Sequence, residues 1–149
     1  PTVPSTSMAD ESEWSDEIIE IVERFQSCFD DMERLELLFE YAEKHPSTLP
    51  MELWDDENMV HGCQSRAHVV CSVDNDGGFM AEGGADAQIV QGLMAITAIA
   101  VNGQTPEKVA EHDPSYIEGM GLSRILTPSR ANGFMNMVRK VKEEASSLM

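Results

Sequence analysis

The sequence predicts an α+β fold in which a small antiparallel β-sheet has helices packed on one side. Apolar residues recur at helical spacing before residue 45 and after residue 86, whereas the segment between them alternates apolar and polar residues as strands do. The strands are thus segregated from the helices, which argues against a parallel βαβ architecture. The length of 149 residues suits one domain, expected over residues 15–149 after a disordered segment of residues 1–14.

Two amphipathic helices are predicted first, and they are expected to form an antiparallel hairpin. The first helix can be capped by Ser15 or Asp16. Its apolar stripe comprises Ile18, Val22, Phe25 and Phe29. The second helix can start at Asp30 or Asp31 and should end before Pro46. Its inner face is predicted to comprise Met32, Leu35, Leu38, Phe39 and Ala42.

A strand hairpin is predicted after a long loop of residues 46–62. Residues 63–73 are predicted to form a strand, in which successive side chains point to opposite faces. One face would hold Ala67, Val69, Cys71 and Val73, and the other Arg66, His68, Val70 and Ser72. The turn signal of residues 74–78 predicts an antiparallel return over residues 79–82. Gly83 and Gly84 are expected to end this second strand.

The remaining chain predicts four helices. Residues 86–101 have almost no polar face and should form the central, buried helix, which ends at Asn102-Gly103. Three pairs place a capping side chain before a proline, and they predict two short helices and one long final helix: Thr105-Pro106, Asp113-Pro114 and Thr127-Pro128. The inner stripe of the final helix is predicted to comprise Phe134, Val138, Val141, Ala145 and Leu148.

The charge of the chain excludes two classes of partner. There are 27 acidic and 10 basic side chains, a net charge of −17. A nucleic acid or an anionic membrane surface would be repelled, and the apolar stretch of residues 89–101 is too short to span a bilayer, which takes about 20 residues. Residues 1–60 carry a net charge of −14, which would steer a basic partner to that half. The alternative interpretation is a halophilic surface, hydrated in strong salt.

Cys63 is the candidate reactive residue. It follows a glycine at a junction between loop and strand, and the nearby His61, Arg66 and His68 would favour the thiolate. An inert, buried cysteine is the alternative that the spacing leaves open. Cys28 and Cys71 are interpreted as core residues, and the absence of a signal peptide predicts a reducing cytoplasm with free thiols. Neither a zinc site nor a bridge between Cys63 and Cys71 is favoured, because these residues spread along a predicted strand.

Four segments resemble the SufE family, the sulfur acceptors of iron–sulfur cluster assembly, in order and spacing over about residues 15–148. The first resembles the active-site signature of the family: Asn58-Met59-Val60-His61-Gly62-Cys63-Gln64-Ser65. The others are Asp86-Ala87-Gln88-Ile89-Val90-Gln91-Gly92-Leu93, Thr105-Pro106 and Leu126-Thr127-Pro128-Ser129-Arg130-Ala131-Asn132-Gly133. The chain departs from the family at Arg66 and His68, where Gln and an aromatic residue are common.

The resemblance implies a function for Cys63. SufE proteins accept a persulfide sulfur from a cysteine desulfurase, a pyridoxal-phosphate enzyme, stimulate that enzyme and pass the sulfur to an iron–sulfur scaffold. By this resemblance Cys63 is the nucleophile, and the residues expected to support its loop or contact the partner are His61, Gly62, Gln64, Ser65, Arg66, Asp86 and Arg130. No cofactor and no metal are expected on this chain. The sequence is compatible with a monomer and with a homodimer. A non-catalytic binding protein with an inert Cys63 is the alternative.

Overall fold

The computed structural model describes residues 14–44, 49–61 and 66–149. The segments outside it hold part of the predicted disordered tail, the predicted end of the second helix and residues 62–65. The helices and strands follow in the order α1 (Asp16–Gln26), α2 (Asp31–Glu43), β1 (Ala67–Val73), β2 (Phe79–Ala85), α3 (Gln88–Val101), α4 (Pro106–Ala110), α5 (Tyr116–Gly119) and α6 (Pro128–Ser147). Short 3₁₀ turns occupy Met51–Leu53 and Leu122–Arg124. The antiparallel pair β1–β2 with its helices confirms the α+β prediction.

The first two helices begin as the sequence predicts but bury partly different residues. The Ser15 hydroxyl caps α1, and the Asp30 carboxylate caps α2. Phe29 is 89% exposed and Met32 is 64% exposed, so their assignment to the core was wrong. The reason is that α1 ends at Gln26 and α2 starts a new helical phase. This new phase turns other side chains of α2 inward: Leu37, Leu38 and Tyr41.

The contact between α1 and α2 differs from that of a simple antiparallel hairpin. Tyr41, near the end of α2, stacks on Phe25 near the end of α1, with ring centroids 6.1 Å apart. Arg24 also donates to the Tyr41 hydroxyl at 2.7 Å. An antiparallel hairpin would instead place Tyr41 opposite the start of α1. The start of α1 is occupied by Trp14, whose ring packs edge-on against Tyr116 of α5.

The strand hairpin is longer than predicted at its second strand. The turn is stabilised by Asp74, whose carboxylate accepts the N–H groups of Asp76 and Gly78. β2 continues through Gly83 and Gly84 to Ala85, so the two glycines do not end it. A Cβ at Gly83 would lie 2.9 Å from the Met94 sulfur. The glycine therefore lets α3 approach the sheet closely instead of marking a turn.

α3 is the centre of the core, as predicted, and it contacts α1, α2, α6 and β2. It starts at Gln88, two residues later than predicted, and no side chain caps it. A Cβ at Gly92 would lie 2.6 Å from the Leu38 carbonyl oxygen. The absence of a side chain at Gly92 therefore lets the backbones of α2 and α3 approach each other closely. No helix in the described part of the chain is long and apolar enough to cross a bilayer.

The C-terminal helices pack on the same core. Thr105 and Thr127 cap α4 and α6 as predicted. The Asp113 carboxylate instead accepts the Ser115 N–H, and α5 starts later, at Tyr116. The predicted inner stripe of α6 is buried except for Leu148, which is 40% exposed because α6 ends at Ser147.

Candidate functional site

The two sides of the Cys63 segment are joined by backbone hydrogen bonds. Cys63 itself lies outside the described residues, as do the predicted supporting residues Gly62, Gln64 and Ser65. On either side of them the chain is paired: the Val60 N–H donates to the Ala67 carbonyl at 2.8 Å, and the Val69 N–H donates to the Asn58 carbonyl at 2.8 Å. Residues 58–60 thus pair with the start of β1, and residues 61–66 form the connection between them.

Arg66 is fixed to Asp86 by two reciprocal hydrogen bonds. The Arg66 N–H donates to the Asp86 carboxylate at 3.0 Å, and the Asp86 N–H donates to the Arg66 carbonyl at 3.0 Å. Asp86 therefore does not serve the N-terminus of the central helix, where Ala87 occupies the capping position. Its carboxylate instead stabilises the backbone where the chain leaves the Cys63 segment. His61, on the other side of this segment, is exposed.

The side chains of Arg66 and His68 lie against Trp54. The rings of Trp54 and His68 are stacked, with centroids 5.2 Å apart and planes 16° apart. The Arg66 guanidinium carbon lies 5.3 Å from the Trp54 ring centroid, a cation–π contact. The Trp54 indole N–H donates to the Leu49 carbonyl at 3.1 Å. Sequence reasoning missed Trp54, because it lies in a loop without periodicity and no local pattern shows what it covers.

His68 is buried, although the alternation of β1 put it on the polar face. Its exposed fraction is 3%, and Nδ1 has no hydrogen-bond partner in the part of the chain that the structure describes. Burial lowers the pKa of this imidazole, and the nearby Arg66 lowers it further. His68 is therefore a neutral aromatic partner of Trp54 at neutral pH.

Gly84 provides the space that Trp54 needs. It is the partner of His68 across the β1–β2 pair. A Cβ at this position would lie 2.6 Å from the Trp54 indole nitrogen and 3.0 Å from the Leu49 carbonyl oxygen. Only a residue without a side chain lets the indole lie flat on this end of the sheet.

Helix α6 packs against β1 on the side opposite Trp54. Lys140 donates to the Glu57 carbonyl at 3.2 Å and pairs with Glu144 at 2.8 Å. Burial raises the pKa of the Cys71 thiol, and the Glu144 carboxylate raises it further. Cys71 is accordingly a poor nucleophile. Lys140 thus links α6 to the segment that leads into β1.

Two further features bear on the chemistry. Arg130 lies in the first turn of α6, where its N–H donates to Thr127, and its Nη1 is buried without a hydrogen-bond partner among the described residues. Cys28 is a partly exposed free thiol whose pKa is raised by burial and by Glu33. Within residues 14–44, 49–61 and 66–149, no three His, Cys, Asp or Glu side chains are grouped closely enough to hold a metal ion.

Comparison with known proteins identifies the family. The SufE model, described as an Fe-S metabolism associated domain, matches residues 19–145. A SufE-like protein of Synechocystis sp., described as uncharacterized, is 39% identical over 128 residues, which are 86% of this chain and 79% of that protein. The solution structure of a hypothetical protein from Thermus thermophilus has a TM-score of 0.71 and 25% identity, covering 87% of this chain and 93% of the other. The chain therefore belongs to the SufE family, as its motifs predict, and is associated with Fe–S metabolism.

Proposed function

We propose that this protein is a sulfur acceptor that takes persulfide sulfur from a cysteine desulfurase onto Cys63, stimulates that enzyme and passes the sulfur to an iron–sulfur scaffold. Family membership and the signature Gly62-Cys63-Gln64-Ser65 support the proposal. The observation that carries it is the double anchoring of the segment that contains Cys63, by Val60 on one side and by Asp86 on the other. A short, anchored loop can present a thiol to a partner in a defined position.

The transfer step needs no external oxidant. The Cys63 thiolate would attack the terminal sulfur of a cysteine persulfide on the desulfurase. A new sulfur–sulfur bond forms on Cys63, the bond between the terminal sulfur and the donor cysteine breaks, and the donor leaves as a thiolate. One persulfide is lost and one is formed, so the electrons balance. The same exchange in the next step would deliver the sulfur to the scaffold.

The anchors limit how far Cys63 can travel. Three peptide units separate it from Val60, and each spans at most ~3.8 Å between Cα atoms. The Cα atom of Cys63 therefore stays within ~11 Å of the Val60 Cα while the Val60–Ala67 hydrogen bond holds. The pairing beside β1 can thus stay intact only while the Cys63 Cα atom remains within this radius.

Cationic groups are expected near this loop. Lys140 contacts the Glu57 carbonyl and also lies near Cys71, so α6 flanks both β1 and the segment that leads into the loop. Arg130 belongs to the first turn of the same helix. We infer that Arg130, together with Arg66 and His61, favours the thiolate or binds the partner.

A sulfur-transfer assay tests the proposal. The protein is incubated with a cysteine desulfurase and cysteine, and tryptic peptides are analysed by mass spectrometry. Without a reductant, we expect the Cys63 peptide to gain about 32 Da, the mass of one sulfur atom. With a thiol reductant added, which reduces the persulfide to sulfide, we expect sulfide release by the desulfurase to rise. Cys63→Ser should abolish both effects, whereas Cys28→Ser, which removes a partly exposed thiol elsewhere in the chain, should abolish neither. An unmodified Cys63 after exposure to an active desulfurase would refute the proposal and favour a non-catalytic binding protein.

A further inference from the structure

Two apolar side chains are exposed in the segment of residues 49–61, which leads toward Cys63. Met51 is 68% exposed and Leu53 is 47% exposed, and both belong to the 3₁₀ turn Met51–Leu53. A single exposed apolar residue is ordinary, whereas neighbouring ones with a polar rim are typical of surfaces that bind other proteins. The turn is therefore a candidate contact surface beside the proposed site.

The turn is held in place by hydrogen bonds before and after it. The Leu49 N–H donates to the Gly83 carbonyl of β2 at 2.9 Å, and the Asn58 side-chain amide donates to the Leu53 carbonyl at 2.8 Å. Met51 and Leu53 are thus presented on an ordered backbone. Such preorganisation lowers the entropy cost of binding a partner.

The turn lies beside the surface that a sulfur donor must cover. Arg66 follows Cys63 by three residues, so their Cα atoms are at most ~11 Å apart. An interface of standard size buries about 800 Å² of each partner, which corresponds to a disc of about 16 Å radius. A partner that engages Cys63 therefore covers Arg66. The Arg66 guanidinium carbon lies 5.3 Å from the ring centroid of Trp54, which directly follows the turn, so Met51 and Leu53 offer apolar contacts at this place.

The surroundings of the turn are acidic. Residues 49–61 contain no lysine or arginine and four carboxylates, those of Glu52, Asp55, Asp56 and Glu57. All four residues are exposed, and none of their side chains belongs to an ion pair within the described part of the chain. Exposed carboxylates without a cationic partner attract cations on another protein and speed the encounter. The surface therefore fits a partner whose apolar patch has lysine or arginine at its rim.

We infer that Met51 and Leu53, together with the acidic side chains around them, form a docking surface for the cysteine desulfurase. The inference rests on the proposed function, which supplies this partner. The desulfurase buries the two side chains against an apolar patch, and the cationic rim of that patch faces Glu52 and Asp56. The docking surface touches none of the reacting atoms, so it sets the affinity of the complex and not the chemistry at Cys63.

Binding to the desulfurase is measured with Cys63→Ser, so that sulfur transfer does not contribute to the signal. The enzyme is the one used in the sulfur-transfer assay, and the dissociation constant is determined by biolayer interferometry. Adding Met51→Ser and Leu53→Ser should raise this constant about tenfold or more, because two exposed apolar side chains are no longer available for burial. Phe29→Ser is the matched control. It removes an apolar side chain that is 89% exposed at the junction of α1 and α2, and it should leave the constant unchanged.

A second variant tests the charge of the rim and leaves the apolar side chains in place. Asp56→Asn removes one carboxylate at nearly constant shape and should slow association at low ionic strength about twofold or more. The difference should vanish at about 1 M NaCl, where charges are screened over about 3 Å. Asp76→Asn is the matched control, since Asp76 lies in the turn at the opposite end of the β1–β2 pair. Equal association rates for Asp56→Asn and Asp76→Asn at low ionic strength would overturn the assignment of a cationic rim.

The outcomes separate this inference from the proposed function. Unchanged binding after Met51→Ser and Leu53→Ser would overturn it, and so would equal weakening by Phe29→Ser. Absence of binding by Cys63→Ser alone would also overturn it, because docking would then depend on the thiol. If the variants bind as expected but no sulfur adduct forms on Cys63, only the proposed function fails.

Discussion

His112 makes the stability of this protein sensitive to mild acid. The imidazole Nε2 shares a hydrogen bond of 2.8 Å with the hydroxyl of Tyr116, which is buried beneath it. Burial, and to a lesser degree the charge of Lys142, lower the pKa of His112 from 6.5 to about 4. The folded protein therefore holds this imidazole neutral at pH values where an unfolded chain would protonate it.

The magnitude follows from proton linkage. Above pH 6.5 His112 is neutral in both states and costs nothing. As the pH falls below 6.5 the unfolded chain binds a proton that the folded chain resists, so the stability decreases. The loss from this group is about 2 kcal/mol at pH 5 and approaches about 3 kcal/mol below pH 4.

Urea unfolding of the wild type and of His112→Gln measures this contribution. The glutamine amide can still bond to the Tyr116 hydroxyl but does not titrate. The difference in unfolding free energy between the two proteins should shift by about 2 kcal/mol, in favour of the variant, between pH 7.5 and pH 5. Taking the difference cancels the titration of the many carboxylates. A difference that stays constant over this range would refute the reasoning.

Three further substitutions test local contacts. Asp86→Ala removes the acceptor of the Arg66 N–H, so this amide should exchange with solvent about fivefold faster, whereas Asp86→Asn should protect it; equal rates would contradict this. Gly92→Ala should cost about 1–3 kcal/mol in urea unfolding because its Cβ would meet the Leu38 carbonyl; an unchanged midpoint would contradict this. Phe29→Ser should change the stability by no more than about 0.5 kcal/mol, and a larger loss would show that the side chain is packed.

Three of the helix starts were predictable because they depend on neighbouring residues alone. Ser15, Thr105 and Thr127 each accept the N–H three residues further on, a contact that the local sequence specifies completely. Phe29 shows where this locality fails. It continues the spacing of the first apolar stripe, but the helix ends before it, and only the direction of the next element decides whether it is buried.

The surroundings of the candidate site were less predictable than its motif. Alternation in β1 assigned His68 to the polar face, because the sequence does not show that a distant loop covers that face with Trp54. Gly84 was interpreted as a strand end for the same reason. A glycine that makes room for a ring and a glycine that ends a strand are identical in sequence, and only tertiary packing distinguishes them.

The packing of α6 along β1 affects the newly made chain on the ribosome. Glu57 and Cys71 receive their neighbours from Lys140 and Glu144, which are synthesised long after Cys71. At ~5–20 residues per second, the Cys71 thiol waits several seconds before that helix exists. During this interval it lacks the helix that later lies against it, so the nascent chain depends on reducing surroundings to keep this thiol from oxidation.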